Sequence, residues 1–460
     1  MRRLSWENAC ETALCERTRS IRFLWSQTTR IAVRERLYAG SGHRLTGKLR
    51  RRLSMAISSY CLALTVAAHA QTTGTPATSD APYATDIKPN ASANSISNKA
   101  SNTAAESAPH KVTWRAPEDG DFDASDFLLN HRGALPVPMI ITEPAIGYGG
   151  GVALIFFSES MADAAKNAQE TGVMSPPNIT ALGGMYTENG TWGAGLMHFH
   201  TWGGDAIRYL GGLAKVNMKT DYYGLSNSPR AYQLNGWLLI QQVLFRIGRS
   251  HWFVGPRYTY FDSNTHFTGQ AAQEVGIPDA QRRIGKVGLV IDYDTRDNMF
   301  FPNKGSYLEL EIQAARPWAG SSQSFETYNG RGYTWLPLAR DWVLGLRLDG
   351  RFSAGDTPFY AQPYVKLRGV QQGRYQDQHA AMVEAELRWN VAPRWSVLGF
   401  SGAGRAWGKW KSFSQADAVV SVGAGFRYLI AAKLGLAVGV DVAHSKGENA
   451  FYIQVGSAWH

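Results

Sequence analysis

The chain has 460 residues and a formal net charge of +10, but Lys and Arg outnumber Asp and Glu by 13 to 4 in residues 1–54 and by only 34 to 33 in the remainder. A basic nucleic-acid-binding surface is therefore excluded for the body of the chain. Outside one apolar stretch near residue 55, no run approaches the roughly 18 apolar residues that a membrane-spanning helix needs, so helical spans are excluded as well.

The first element is a processing signal. Lys48, Arg50, Arg51 and Arg52 precede the apolar run Met55–Val66, and Ala68-His69-Ala70 follows. A basic region, an apolar core and an A-x-A site in that order predict a secretory signal peptide over residues 45–70, cleaved to leave Gln71 first. Such peptides begin near a chain start, so residues 1–44 read as an upstream extension from a start assigned too early, the true one lying near Leu45 or Leu49. Cys10, Cys15 and Cys61 all precede the cleavage point. The mature chain is thus expected to have no disulfide, thiolate metal site or cysteine nucleophile.

Between Gln71 and His110, 29 of 40 residues are Ala, Ser, Thr, Asn or Pro. That composition cannot bury enough apolar surface to fold, so residues 71–120 are expected to be a disordered periplasmic leader. Asp121–Leu129 predicts a short helix capped by Asp123 or Ser125, either lying against the barrel mouth or serving as a lead-in.

From residue 121 to 460 the chain reads as one barrel. Leu434, Leu436, Val438, Val440 and Val442 alternate with Gly435, Ala437, Gly439, Asp441 and Ala443. Trp342, Leu344, Leu346 and Leu348 alternate with Val343, Gly345, Arg347, Asp349 and Arg351, and Val383, Ala385, Leu387 and Trp389 with Glu384, Glu386, Arg388 and Asn390. Period-two segments with one apolar and one polar, partly charged face are membrane-barrel strands, lipid outside and lumen inside. Sixteen strands are expected, centred near Pro138, Leu154, Leu182, Met197, Leu213, Leu238, Tyr258, Leu289, Leu310, Gly332, Leu346, Val383, Val397, Val422, Val438 and Val455. The fold class is therefore all-β, a 16-stranded antiparallel transmembrane β-barrel with a disordered N-terminal leader, located in the bacterial outer membrane. The even number puts both chain ends on the periplasmic side. Lys219–Arg230, Ser263–Arg283 and Ala354–Gln378 are the long extracellular or inward-folded connections.

Two motifs sit inside this pattern. Asp294-Thr295-Arg296-Asp297-Asn298, then Phe301-Pro302-Asn303-Lys304-Gly305, predicts a structured periplasmic turn: Asp294 and Asp297 nucleate it, Arg296 lies between them, Pro302 fixes φ and Gly305 permits φ > 0. Lys366-Leu367-Arg368-Gly369-Val370, then Gly373-Arg374-Tyr375, precedes the strand carrying Glu384, Glu386, Leu387 and Arg388. Together they resemble the bacterial surface-antigen barrels, the family of BamA- and TamA-type outer-membrane assembly and translocation proteins. The resemblance covers roughly Gly133 to the C-terminus. It implies sixteen strands, a P-x-x-G periplasmic turn and an inward-folded loop whose arginine is held by lumenal acids. Val370 stands where the family has an aromatic residue and Gly402 where it has an Asp. By alternation Glu384 and Glu386 face the lumen, so Arg368 is expected to pair with Glu386 first and Glu384 second. Phe451, Ile453, Val455, Ser457 and Trp459 alternate on one face and resemble the C-terminal signal by which barrel precursors are recognised.

The resemblance implies membrane lipid as a partner and the barrel-assembly machinery during the protein's own insertion; client and periplasmic partner are not specified. Family members carry repeated periplasmic domains, and the 63 residues Gln71–Gly133 are too few for such an array. No cofactor, metal site or nucleophile–base arrangement is expected: His198 and His200 lie two apart on one strand face, without a third ligand at diagnostic spacing, and fit a lumen or rim role better. The function implied is insertion or translocation of proteins or lipids; the alternative is a gated or passive pore.

Overall fold

The structure is a computed structural model that describes residues 113–131, 133–158, 178–224, 228–268 and 280–459. The signal peptide, the upstream extension, most of the leader and His460 lie outside the described residues. A short helix, α1 (Ser125–Asn130), precedes the barrel. The strands are β1 (Gly133–Ile141), β2 (Gly149–Phe157), β3 (Ile179–Thr187), β4 (Trp192–Trp202), β5 (Ile207–Tyr222), β6 (Arg230–Arg246), β7 (Trp252–Phe267) and β8 (Ala280–Asp294). They continue as β9 (Gly305–Ala315), β10 (Phe325–Ala339), β11 (Trp342–Gly355), β12 (His379–Asn390), β13 (Trp395–Trp407), β14 (Val419–Ala431), β15 (Leu436–Ser445) and β16 (Glu448–Val455). Each strand pairs antiparallel with its sequence neighbours in the order β1 to β16. Every predicted centre falls within its strand, including the five least regular ones at the start.

The two faces divide as the alternation requires. Asp441, Ala437 and Ala443 on β15 are buried towards the lumen, whereas Val442 is 57% exposed on the outer wall. Exposed Trp202, Trp252, Trp342, Trp389 and Trp395 lie on the outer wall at the periplasmic ends of β4, β7, β11, β12 and β13. Amphipathic indoles collect at a membrane–water interface, so this ring marks the periplasmic edge of the hydrocarbon.

Three expectations need correcting. Leu434 is not on β15: Ala432–Leu434 form a 3-10 turn, and a register shift between Leu429 and Ala431 resets the ladder. The long connections after Lys219 and Ser263 are partly strand, because β5 and β6 pair as far as Tyr222 with Arg230, and β7 pairs with β8 as far as Thr265 with Ala280. Tyr232, Leu234 and Phe267 bury one another there with Tyr222 and Phe359, which supports an overhang beyond the membrane. Finally, residues 113–120 are not all leader. Arg115 bridges Phe122, and Trp114 stacks on Phe122 and Phe127 with centroids 6.0 and 5.1 Å apart.

Candidate functional site

The connection between β11 and β12 dips into the lumen. Val365, Leu367 and Val370 are buried in a cluster with Ala380, Met382 and Val419, so Val370 still anchors the loop where an aromatic was absent. Gly369 has φ +84°, and a β-carbon there would lie 3.0 Å from that of Ala443; only glycine lets the backbone come this close to the wall. Its N–H donates to the Tyr452 hydroxyl at 2.9 Å. Gly373 also has positive φ, +80°, in the turn that leads the loop back out.

Arg368, 7% exposed, sits at the centre of a lumenal ion cluster. Its Nη2 lies 2.6 Å from Glu384 Oε1 and 2.9 Å from Glu386 Oε2, and its Nη1 lies 2.8 Å from Asp441 Oδ2. The guanidinium also lies over Phe400, 3.4 Å from the ring centroid. The expected order of partners is reversed: Glu384 is the closer acid and also accepts from Arg368 Nε at 2.7 Å. Asp441 was not singled out in the sequence. It stands on β15, while at Gly402 Leu367 packs 2.8 Å from the position a β-carbon would take. Asp441 accepts a second guanidinium from Arg427 at 2.6 Å, and Glu384 accepts Arg347 at 3.1 Å. Three arginines are thereby interleaved with four acids, Asp349 completing the set at 2.5 Å from Arg347.

The C-terminal residues join this cluster, which corrects a second expectation. Phe451, Ile453 and Val455 do face outward, but Gly456 has φ +79° and ends the strand. Ser457 N–H then donates to the Phe300 carbonyl at 2.6 Å, and Trp459 turns into the lumen, only 3% exposed. Its indole packs on Tyr333, Trp335 and Val343, and its Nε1–H donates to Glu384 Oε2 at 3.2 Å.

Below the cluster the periplasmic turn folds under the mouth. Arg296 pairs with Asp294 at 2.7 Å, and Asp297 Oδ1 accepts the N–H groups of Asn303 and Lys304 at 3.0 and 3.1 Å. Gly305 has φ +105°, and a β-carbon there would clash with the Thr295 carbonyl at 2.2 Å. The Pro302 carbonyl accepts from Arg388 Nη2 at 2.9 Å, while Phe301 lies beneath that guanidinium at 3.9 Å. One face of β12 therefore connects both motifs: Glu384 and Glu386 meet the loop from outside, and Arg388 meets the turn from the periplasm. A cleft of about 640 Å³ opens beside it, lined by Asn298, Phe301, Asn390, Arg394 and Arg427 among others.

The ordered residues before β1 are clipped to the same rim. Arg394, in the turn between β12 and β13, pairs with Asp119 at 2.5 Å and with Asp123 at 3.0 Å. Asp123 Oδ1 accepts the Ser125 N–H at 2.6 Å, Ala124 N–H donates to the Ile430 carbonyl at 2.8 Å, and Ser125 Oγ accepts from Lys433 N–H at 3.0 Å. The Arg394 hydrogen bond holds the Asp119 carboxyl below its ordinary value. Burial works to raise Asp123, but its bonds to Ser125 and Arg394 outweigh it and hold that carboxyl low as well. At the far end of α1, His131 meets Phe157 of β2, centroids 6.5 Å apart. One short segment thus touches β12–β15 on one side of the β1/β16 boundary and β2 on the other.

At that boundary the ladder stops. Among the described residues, β1 pairs only with β2 and β16 only with β15. Pro136 and Pro138 share a parity on β1, and prolines are tolerated on the unladdered edge, so the edge facing β16 lacks two donors. Tyr148 stacks on Phe451 across the gap, centroids 5.6 Å apart.

Residues 262–459, from within β7 to the final turn, match the Omp85 superfamily domain. Over those residues the chain is similar to Omp85 superfamily barrels. The Omp85 match covers the periplasmic turn, the inward loop, β12 and the C-terminal strand, and it places the barrel in the bacterial outer membrane. Among solved structures, BamA from Haemophilus ducreyi lacking POTRA domains 1–3 is similar with a TM-score of 0.50 at 11% identity, over 71% of this chain and 70% of that one. CdiB from Acinetobacter baumannii is similar at 0.49 and 11% identity, over 70% of this chain and 59% of that one. CdiB from Escherichia coli is similar at 0.49 and 8% identity, over 70% and 61%. The chain spans about three-fifths of the CdiB chains it matches. No curated protein sequence matches significantly.

His198 and His200 are placed neither in the lumen nor in a metal cluster. They lie on the outer wall, and among the described residues no three His, Cys, Asp or Glu side chains are grouped to hold a metal ion.

Proposed function

We propose that this Omp85-type barrel is a non-enzymatic assistant of protein or lipid insertion or translocation at the outer membrane, working at the β1/β16 boundary. The observation that carries this is the unladdered seam. Fifteen neighbouring pairs are joined by backbone registers, while the sixteenth contact rests on side chains and a periplasmic strap. A strand edge with free backbone groups is where an incoming strand adds by augmentation. In this reading Arg368, Glu384, Glu386 and Asp441 hold the loop in the lumen, the turn from Asp294 to Gly305 braces the mouth, and Phe451, Ile453 and Val455 form the lipid-facing part of the C-terminal signal. Residues 45–70 are removed on export, and membrane lipid and assembly machinery are the partners during insertion. The pore reading is less favoured because the loop, the ion cluster and Trp459 occupy the lumen.

The test compares the outer-membrane protein and lipid composition of a deletion strain with the conductance of purified barrel in planar bilayers. The proposal expects a changed membrane composition restored by the wild-type gene, with little conductance. Steady conductance and an unchanged membrane composition would reject it in favour of a pore.

A further inference from the structure

The outer wall over β3 to β7 carries polar side chains where a lipid-facing surface calls for apolar ones. Register pairs Thr180 with His198, His198 with Gly211, Gly211 with Gln241 and Gln241 with Tyr258, one residue from each of five adjacent strands. Directly opposed residues share a face of the sheet. Two positions further from the periplasm, the same face carries the opposed leucines Leu182, Leu196 and Leu213, each 45–50% exposed on the outer wall. Two positions nearer the periplasm it carries His200 opposite Tyr209. Gly211 interrupts the row only in name. The Tyr209 hydroxyl lies 2.3 Å from where a β-carbon at 211 would be, so the tyrosine fills that place.

Hydrocarbon cannot satisfy these groups, and burying unpaired polar atoms in it is costly. Some bond to each other: Thr180 Oγ1 and His198 Nδ1 share a hydrogen bond at 2.9 Å, and the Tyr209 hydroxyl donates to Gln241 Oε1 at 2.7 Å. Tyr258 donates its hydroxyl hydrogen to the Ala319 carbonyl at 3.1 Å. The Gln241 acceptor is thus used, which leaves its NH₂ group outward. His198 uses Nδ1 in that bond, and its Nε2 has no hydrogen-bond partner among the described residues. His200 stacks on Trp202, centroids 4.4 Å apart, and its ring nitrogens have no hydrogen-bond partner among the described residues. The Gln241 NH₂ group and the N–H of a neutral His200 are donors without a partner among the described residues, so the occupant must bring acceptors.

Depth selects the source. Trp202 belongs to the periplasmic indole ring, and His200 and His198 follow it at two and four residues into the strand. At about 3.3 Å per residue and a tilt near 40°, they lie roughly 5 and 10 Å inside that ring. Aqueous anions are excluded at that depth, and the nearest acceptors are the phosphate and glycerol-ester oxygens of a periplasmic-leaflet lipid, which must move inward past the ring to meet the row. We propose that the row Thr180–His198–Gln241 with His200 binds the phosphate–glycerol region of a periplasmic-leaflet phospholipid, drawn below its usual level along the β3–β6 wall. The site is independent of the seam and rests only on the membrane reading.

The test uses purified, folded full barrel, stripped of lipid in detergent and titrated by native mass spectrometry with palmitoyl-oleoyl phosphatidylglycerol, palmitoyl-oleoyl phosphatidylethanolamine or dioleoylglycerol. The wild type should retain a phospholipid and not dioleoylglycerol. The triple variant His198→Leu, His200→Leu and Gln241→Leu should bind it about tenfold more weakly, as expected for losing more than one such hydrogen bond. Misfolding does not confuse this result: leucines suit a lipid-facing wall, and gel mobility of unheated sample reports folding directly. Leu182→Ala with Leu213→Ala, on the same wall, should leave retention unchanged. Equal retention by the triple variant, equal retention of dioleoylglycerol, or equal loss in the leucine control would overturn the proposal. So would a dimer abolished by the triple variant with lipid retention unchanged, which would mark the wall as a protein contact.

Discussion

Arg368→Ala should be the most damaging single change in the lumen. The guanidinium is shared by Glu384, Glu386 and Asp441, all within 2.9 Å and all buried. Breaking a buried pair by removing one partner costs about 3–5 kcal/mol, because the remaining charge is uncompensated. Here Glu384 keeps Arg347 and Asp441 keeps Arg427, whereas Glu386 has no second ion pair among the described residues. The lower end of that range, about 3 kcal/mol, is therefore expected, roughly a hundredfold in the folding equilibrium. Arg368→Lys should restore only part, since an ammonium cannot fork between three carboxylates. The double variant Arg368→Ala with Glu386→Ala should cost less than the sum of its singles. Glu384→Ala should exceed Glu386→Ala, because Glu384 also accepts from Trp459. Urea titration of refolded barrel, read by gel mobility, measures these values. A loss below about 1 kcal/mol for Arg368→Ala, the scale of an exposed pair, would refute the cluster's importance, as would strict additivity.

Leu346→Arg and Val438→Arg put charge on the lipid face and should cost roughly 2–4 kcal/mol near the bilayer midplane in the same titration. Arg347→Leu, on the lumenal face, should be comparably severe, because Asp349 and Glu384 would lose their shared cation. Arg351→Leu, at a partly exposed guanidinium 3.9 Å from Asp349, is the mild lumenal control. Arg394→Ala should release the strap and expose residues 113–131 to added protease, with no effect on strand content by circular dichroism. Since Asp119 and Asp123 titrate below their ordinary value of 3.8, their bonds contribute fully above it and are lost as pH falls through the lowered values. Strap protection against an acid-active protease should therefore hold down to about pH 5 and fail only in stronger acid.

The barrel was legible because period-two alternation is a local property that survives in every strand, from Val152 and Leu154 on β2 to Val438 and Val440 on β15. Where the chain leaves the ladder was not. Trp459 keeps the parity of Phe451 and Val455, and only the backbone conformation of Gly456 turns it inward. Leu434 likewise keeps the parity of Leu436 while sitting in a turn. The loop motif drew attention to Arg368 and to Glu384 and Glu386 on β12, but the partner order depends on three-dimensional register. Asp441 was visible as the only acid on its strand and on the lumenal face. What hid it was the 73 residues separating it from Arg368. His198 and His200 were misplaced for a different reason: polarity on a barrel strand argues for the lumen, and it is the face they share with Leu196, which opposes the exposed Leu213, that puts them outside.

The seam is the centre of the functional account, and a reversible tether tests it most directly. All native cysteines lie at or before Cys61, so Tyr148→Cys with Phe451→Cys introduces the only thiols in a chain cleaved after Ala70, at side chains that already meet across the gap. The measurement is rescue of the deletion strain's outer-membrane composition by the tethered barrel, oxidised and then reduced. The account predicts no rescue while the disulfide holds and full rescue on reduction. Full rescue by the oxidised, quantitatively cross-linked barrel would contradict it.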